Sequence, residues 1–127
     1  KLAEKLNLHD SVESVIYPGL KSHTQNRLAI KQQLNPEGEP IFGSIISIKV
    51  SSVEKRDSFL EKIKLFTLAE SLGGVESLVS VPYDMTHVSV PIKTKEQMGL
   101  TKTLIRLSIG IENIDDLYSD LLQALED

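Results

Sequence analysis

Leu104-Ile105-Arg106-Leu107-Ser108-Ile109-Gly110-Ile111 alternates almost perfectly, with Ile105, Leu107, Ile109 and Ile111 set against Arg106, Ser108 and Gly110. Successive side chains of a strand point to opposite faces, so this period predicts a half-buried β-strand whose isoleucines and leucine face a core. Arg106 then falls on the other face, at a cleft or interface. Residues 43–50 repeat the pattern: Ile46, Ile48 and Val50 point one way, Ser47 and Lys49 the other. Two such strands predict an antiparallel or mixed sheet with one face on the core and one face wet or covered by another element.

Helices flank these strands. Asn113 is placed to cap a helix with Asp115 and Asp116 in its first turn, where acidic groups suit the helix dipole, and with Ile114, Leu117, Leu121 and Leu125 on one face. Ser52 caps a second helix to about residue 64, with Phe59, Leu60 and Ile63 as its stripe. Ser22 offers a cap to a third, ending near Leu34 before the breaker Asn35-Pro36-Glu37-Gly38. Residues 12–17 read as a short strand stopped by Pro18-Gly19. Residues 66–79, interrupted by Gly73-Gly74, fit neither period and are expected to be extended and irregular. Short strands alternating with about three helices predict a two-layer α+β domain, its sheet covered by helices on one face.

At 127 residues the chain suits one domain with one core. It opens without methionine on residues 1–8, which read as the tail of a helix carrying Leu2, Ala3, Leu6 and Leu8, so a piece of a longer polypeptide is expected. It contains no cysteine, which excludes disulfides and thiolate metal sites and makes the cytoplasm the default compartment. A formal charge of -4 with scattered lysines argues against nucleic acid. No apolar run approaches the ~20 residues of a membrane span.

Candidate chemistry is sparse. Gly73-Gly74 has no Gly-Lys-Ser/Thr ending for a phosphate loop, and reads as a turn that permits close backbone approach. His9, His23 and His87 lack a second ligand at helical spacing, so no metal is expected. His23 is expected in the first turn of its helix and His87, after Met85-Thr86, as a structural hydrogen-bonding residue. Arg106 stands out because a guanidinium can hold a carboxylate with two parallel hydrogen bonds. The pattern alone leaves a surface ion pair and a ligand-binding role both open.

Three ordered motifs add to this reading: Glu70-Ser71-Leu72-Gly73-Gly74-Val75-Glu76-Ser77-Leu78, then Met85-Thr86-His87, then Arg106-Leu107-Ser108-Ile109-Gly110-Ile111-Glu112. Together with Val15-Ile16-Tyr17-Pro18-Gly19-Leu20, Ser22-His23 and Lys64-Leu65-Phe66, they make the chain resemble the trans-sulfuration enzymes of Cys/Met metabolism. The first motif is more similar to the cystathionine γ-synthase and γ-lyase branch than to β-lyases or acyl-homoserine sulfhydrylases.

The resemblance implies a fold-type I enzyme dependent on pyridoxal 5'-phosphate, in which a large domain holds the cofactor through a Schiff-base lysine. This chain, residues 1–127, is similar only to the small C-terminal domain that closes over the substrate. By motif, Arg106 would bind the substrate α-carboxylate, Ser71 would sit beside the cofactor lysine and help frame that carboxylate, and Glu70 would face the distal part of the substrate. Thr86 and His87 would support structure. No catalytic residue is expected within the chain itself, so the isolated domain would be inactive. The whole enzyme would be a homotetramer acting at the γ-carbon of cystathionine or an O-acylhomoserine type of activated homoserine. The alternative is a stand-alone, non-catalytic regulatory or oligomerisation module derived from the same domain.

Overall fold

The computed structural model describes residues 1–126. Along them run α1 (Leu2–Leu6), β1 (Ser14–Ile16), α2 (Asn26–Gln32), β2 (Ile45–Lys49), α3 (Val53–Lys62), β3 (Thr67–Leu68), β4 (Leu78–Ser80), α4 (Ile92–Gln97), β5 (Leu104–Ser108) and α5 (Ile114–Leu125). The five strands form one sheet in the order β1-β2-β5-β4-β3. It is mixed: β3 runs parallel to β4 and every other pair is antiparallel.

β2 and β5 are the centre because their alternation lets one face be wholly apolar. Ile46 and Ile48 on β2, Ile105 and Leu107 on β5 and Val79 on β4 are each at most 4% exposed. Over them lie Leu2, Ala3 and Leu6 of α1, Phe59 of α3, and Leu117, Leu121, Ala124 and Leu125 of α5. The expected two-layer α+β architecture is thus present, with these helices on one face. Two predicted caps form as expected. Ser52 Oγ accepts from the Lys55 amide at 3.2 Å, and Asn113 Oδ1 accepts from the Asp115 amide at 2.8 Å.

Several expectations are corrected. Residues 66–79 are not wholly irregular, because β3 and β4 flank the glycine loop and pair across it, Thr67 with Leu78 and Leu68 with Val79. Ser22 caps nothing. Residues 20–26 form successive turns, α2 starts only at Asn26 with no side-chain cap, and His23 precedes the helix rather than joining its first turn. The Asn26 side chain instead donates to the Pro18 carbonyl at 2.7 Å, tying α2 to the end of β1. Leu8 is outside the core at 83% exposed, since α1 ends at Leu6. Ile111, predicted inward, is likewise exposed. β5 stops at Ser108, and the Gly110 and Ile111 amides turn to Ser77 Oγ and the Val75 carbonyl, so the two-residue period no longer applies.

The second face of the sheet carries the site. Ser47 on β2 and Ser80 on β4 are the direct cross-strand partners of Arg106, one on each side, so the three side chains form a row on one face. Over this face, from Ala69 to β4, passes the loop of residues 70–77.

Candidate functional site around Arg106

Arg106 sits at the middle of the central strand, between two serines. Small neighbours leave space beside the guanidinium stem, and the strand's own ladder holds its Cα. Its Nη2 donates to the Glu70 carbonyl oxygen at 3.0 Å. Among the described residues no carboxylate pairs with it, so the remaining donors of the fork and the whole positive charge are uncommitted. The surface ion pair left open by the sequence does not form among the described residues. Ser71 follows Glu70 in the exposed loop, and its hydroxyl takes part in no hydrogen bond among the described residues. The Glu70 side chain is exposed as well. The structure therefore brings Arg106 against the main chain of Glu70, with Ser71 next along, and both side chains of the loop remain available.

What holds that loop was not apparent from residue types. The Gly73 amide donates to Ser108 Oγ at 2.7 Å, and Gly73 has φ of 75°, a conformation that suits glycine. The Ile111 amide donates to the Val75 carbonyl at 2.9 Å. Glu112 closes the far end: its Oε1 accepts from the Ser77 amide at 2.7 Å and its Oε2 from the Ser77 hydroxyl at 2.8 Å. The same hydroxyl accepts from the Gly110 amide at 2.9 Å. These bonds hold the Glu112 carboxyl below its ordinary range, the Ser77 backbone N–H foremost. Gly110 allows this approach, because a Cβ there would overlap the Val75 carbonyl oxygen.

A fixed guanidinium of this kind can bind an anion and orient it. Among the described residues no group of His, Asp and Glu is placed to hold a metal ion. His87 shares a 2.7 Å hydrogen bond with the neighbouring Thr86 hydroxyl. Among the described residues no helix is long and apolar enough to cross a membrane. A depression of about 240 Å³ is bordered by Ala3, Tyr17, Ile46, Ile109 and Ile114. Arg106 stands on an open face, so a ligand bound to it would need a second wall.

A model of the family of Cys/Met metabolism PLP-dependent enzymes matches residues 1–126. The chain belongs to this family. Among its relatives, cystathionine γ-lyase of Dictyostelium discoideum is 50% identical over 121 residues, covering 95% of this chain and 30% of the relative. Cystathionine β-lyase of Lactococcus lactis subsp. cremoris is 45% identical over 126 residues, 99% of this chain and 32% of the relative. The crystal structure of cystathionine γ-synthase from Xanthomonas oryzae pv. oryzae in complex with cystathionine superimposes with a TM-score of 0.89 at 39% identity, over 98% of this chain and 31% of that one. This Cys/Met metabolism chain thus spans about a third of the length of the relatives it matches.

The family depends on pyridoxal phosphate, and two groups with chemistry suited to it are already engaged within this chain. The buried lysine, Lys95, is 5% exposed, donates to the Tyr83 carbonyl at 3.0 Å and lies 4.1 Å from the centre of the Tyr83 ring, so its amine is committed. The Gly73 amide, the obvious phosphate donor of the glycine loop, is taken by Ser108. Neither the Lys95 amine nor the Gly73 amide is thus free in this structure.

Sequence reading singled out Arg106, Ser71 and Glu70 but gave no role to Ser77, Ser108, Gly110 or Glu112. The last three lie inside the motif that contains Arg106. Their partners are 33 to 35 residues away, a pairing that no local period reveals.

Proposed function

We propose that residues 1–127 are the small C-terminal, substrate-carboxylate-binding domain of a pyridoxal-phosphate-dependent trans-sulfuration enzyme that acts at the γ-carbon of cystathionine or an activated homoserine. The observation that carries this reading is the Arg106 guanidinium, fixed through one N–H to the Glu70 carbonyl and paired with no carboxylate among the described residues. A fixed cation with free, coplanar donors is what recognition of an amino-acid α-carboxylate requires, and a guanidinium stays charged while protons move elsewhere in the site. Ser71, with its free hydroxyl, frames the same carboxylate, and the Glu70 side chain faces the distal part of the substrate. The relatives named γ-lyase and γ-synthase support the γ-carbon, as does the intact Glu-Ser-Leu-Gly-Gly-Val-Glu-Ser motif.

The cofactor supplies the electron sink for bond cleavage and belongs to the part of the enzyme beyond this chain. This chain's contribution is to bind, orient and enclose. The reading includes a homotetrameric enzyme in the cytoplasm. In the full-length, cofactor-loaded enzyme, Arg106→Lys is expected to lower kcat/KM for cystathionine about 10- to 100-fold, the worth of one or two hydrogen bonds to a charged group. The cofactor absorbance should be retained. Parallel loss of bound cofactor and activity would overturn the assignment.

A further inference from the structure

We infer that Glu112 and Ser77 form a latch that positions Arg106 for its carboxylate ligand, acting through the main chain of the loop between them. The inference rests on the reading of Arg106 as the carboxylate-binding residue. The loop of residues 70–77 runs alongside β5 and its extension, and rungs join the two at matching heights. Arg106 meets the Glu70 carbonyl, Ser108 meets the Gly73 amide, Ile111 meets the Val75 carbonyl, and Gly110 and Glu112 meet Ser77. Arg106 is the first rung and Glu112 the last.

The last rung is a double one. It joins one carboxylate to a backbone N–H and a hydroxyl of the same residue, and charge-assisted bonds of this kind are about twice as strong as neutral ones. Ser77 is fully used: its one hydroxyl hydrogen goes to Glu112, and a lone pair receives the Gly110 amide. With Ser77 1% exposed and β4 starting at the next residue, the loop has a set end point. Its other end is the short β3, where the Thr67 amide donates to the Ser77 carbonyl at 3.1 Å and the Ala69 amide, just before Glu70, donates to the Val79 carbonyl at 3.0 Å, so both ends of the loop gather at Ser77 and β4. The height at which the Glu70 carbonyl meets Arg106 is therefore set by where Ser77 is held, and Glu112 holds it from the β5 side. That carbonyl selects the guanidinium's orientation, so the latch decides which donors face the ligand.

The test is a double-mutant cycle in the full-length, cofactor-loaded enzyme with cystathionine as substrate. Glu112→Ala is expected to raise KM about tenfold, the size of coupling seen between residues of one network. The cofactor absorbance should stay unchanged. Glu112→Gln, which keeps an oxygen for the Ser77 amide, should raise it less. In an Arg106→Lys background, Glu112→Ala should raise KM no further, because the residue it positions is already lost. If the two effects multiply instead, or if Glu112→Ala lowers only the unfolding midpoint, the latch is merely structural and the inference fails. If Arg106→Lys itself leaves KM unchanged, the assignment of Arg106 fails first, and that outcome is distinct. Ser77→Ala, which keeps the backbone N–H bond to Glu112, repeats the cycle should Glu112→Ala not fold.

Discussion

Arg106 and Glu70 are joined through the main chain: a guanidinium N–H of one donates at 3.0 Å to the carbonyl of the other, and the carboxylate of Glu70 takes no part. Any residue at position 70 preserves that bond. Glu70→Ala is accordingly expected to leave folding intact and cofactor binding unchanged in the full enzyme. It should alter the relative kcat/KM for substrates that differ in their distal portion. Steady-state competition between cystathionine and an O-acylhomoserine checks this, and an unchanged ratio would remove Glu70 from the specificity site.

Gly110 faces a carbonyl that leaves no space for a side chain. A methyl group there must push the loop off β5 or break the Ser77 bond. Gly110→Ala should therefore cost about 1–3 kcal/mol, the usual penalty of overpacking. Urea unfolding of the domain measures it; an unchanged midpoint would show that the loop yields freely.

Arg56 is buried, and its guanidinium reaches Asp84 at 2.7 Å, the Lys102 carbonyl at 2.8 Å and Asp57 at 2.8 Å. It ties α3 to the turn after β4 and to the segment leading into β5. Arg56→Met should destabilise by about 1–3 kcal/mol, mainly because the Lys102 carbonyl loses its donor. Asp57 and Asp84 are each about half exposed and regain water, which limits the loss. Thermal unfolding of the variant reports the difference.

The Ser80 hydroxyl, beside Arg106 in the sheet, is buried without a partner among the described residues. Its desolvation is uncompensated, so Ser80→Ala should leave stability unchanged or raise it by up to about 1 kcal/mol. A clear loss in chemical denaturation would mean that the hydroxyl has a partner in solution.

Glu112 adds a pH dependence. Its carboxyl is held below the ordinary range in the folded chain, chiefly by the Ser77 N–H, so folding favours the ionised form. The stability it contributes is complete above the pKa of an unfolded glutamate and is lost as pH falls through the lower folded value. The stability difference between wild type and Glu112→Gln should therefore be full at pH 7 and shrink through the acidic range below about 4.3. Unfolding midpoints of the two across that range test the sign; a constant difference would exclude the carboxylate as its source.

The layout of the domain was legible because its main elements obey local rules. The alternation through Ile105 and Leu107, the stripe of Leu117, Leu121 and Leu125, and the caps Ser52 and Asn113 each depend on neighbours within a few residues. Arg106 could be placed on the outer face by the same period. Short-range rules failed where distant groups outcompeted them. Ile111 is exposed because amides after Ser108 bond to the loop, Ser22 lost its helix to consecutive turns, and β3 exists only through its pairing with β4.

Sequence alone thus determined the α+β class, the sheet centre and the family, and it put Arg106 on the outer face of the central strand. Tertiary structure decided what state that residue is in: uncommitted by any carboxylate among the described residues, steadied by the Glu70 carbonyl, with a loop secured by Ser77 and Glu112. The physical reason is range. Periodicity and capping act within a turn or two of chain, whereas these hydrogen bonds join residues 33 to 36 positions apart and exist only once β4 and β5 have paired.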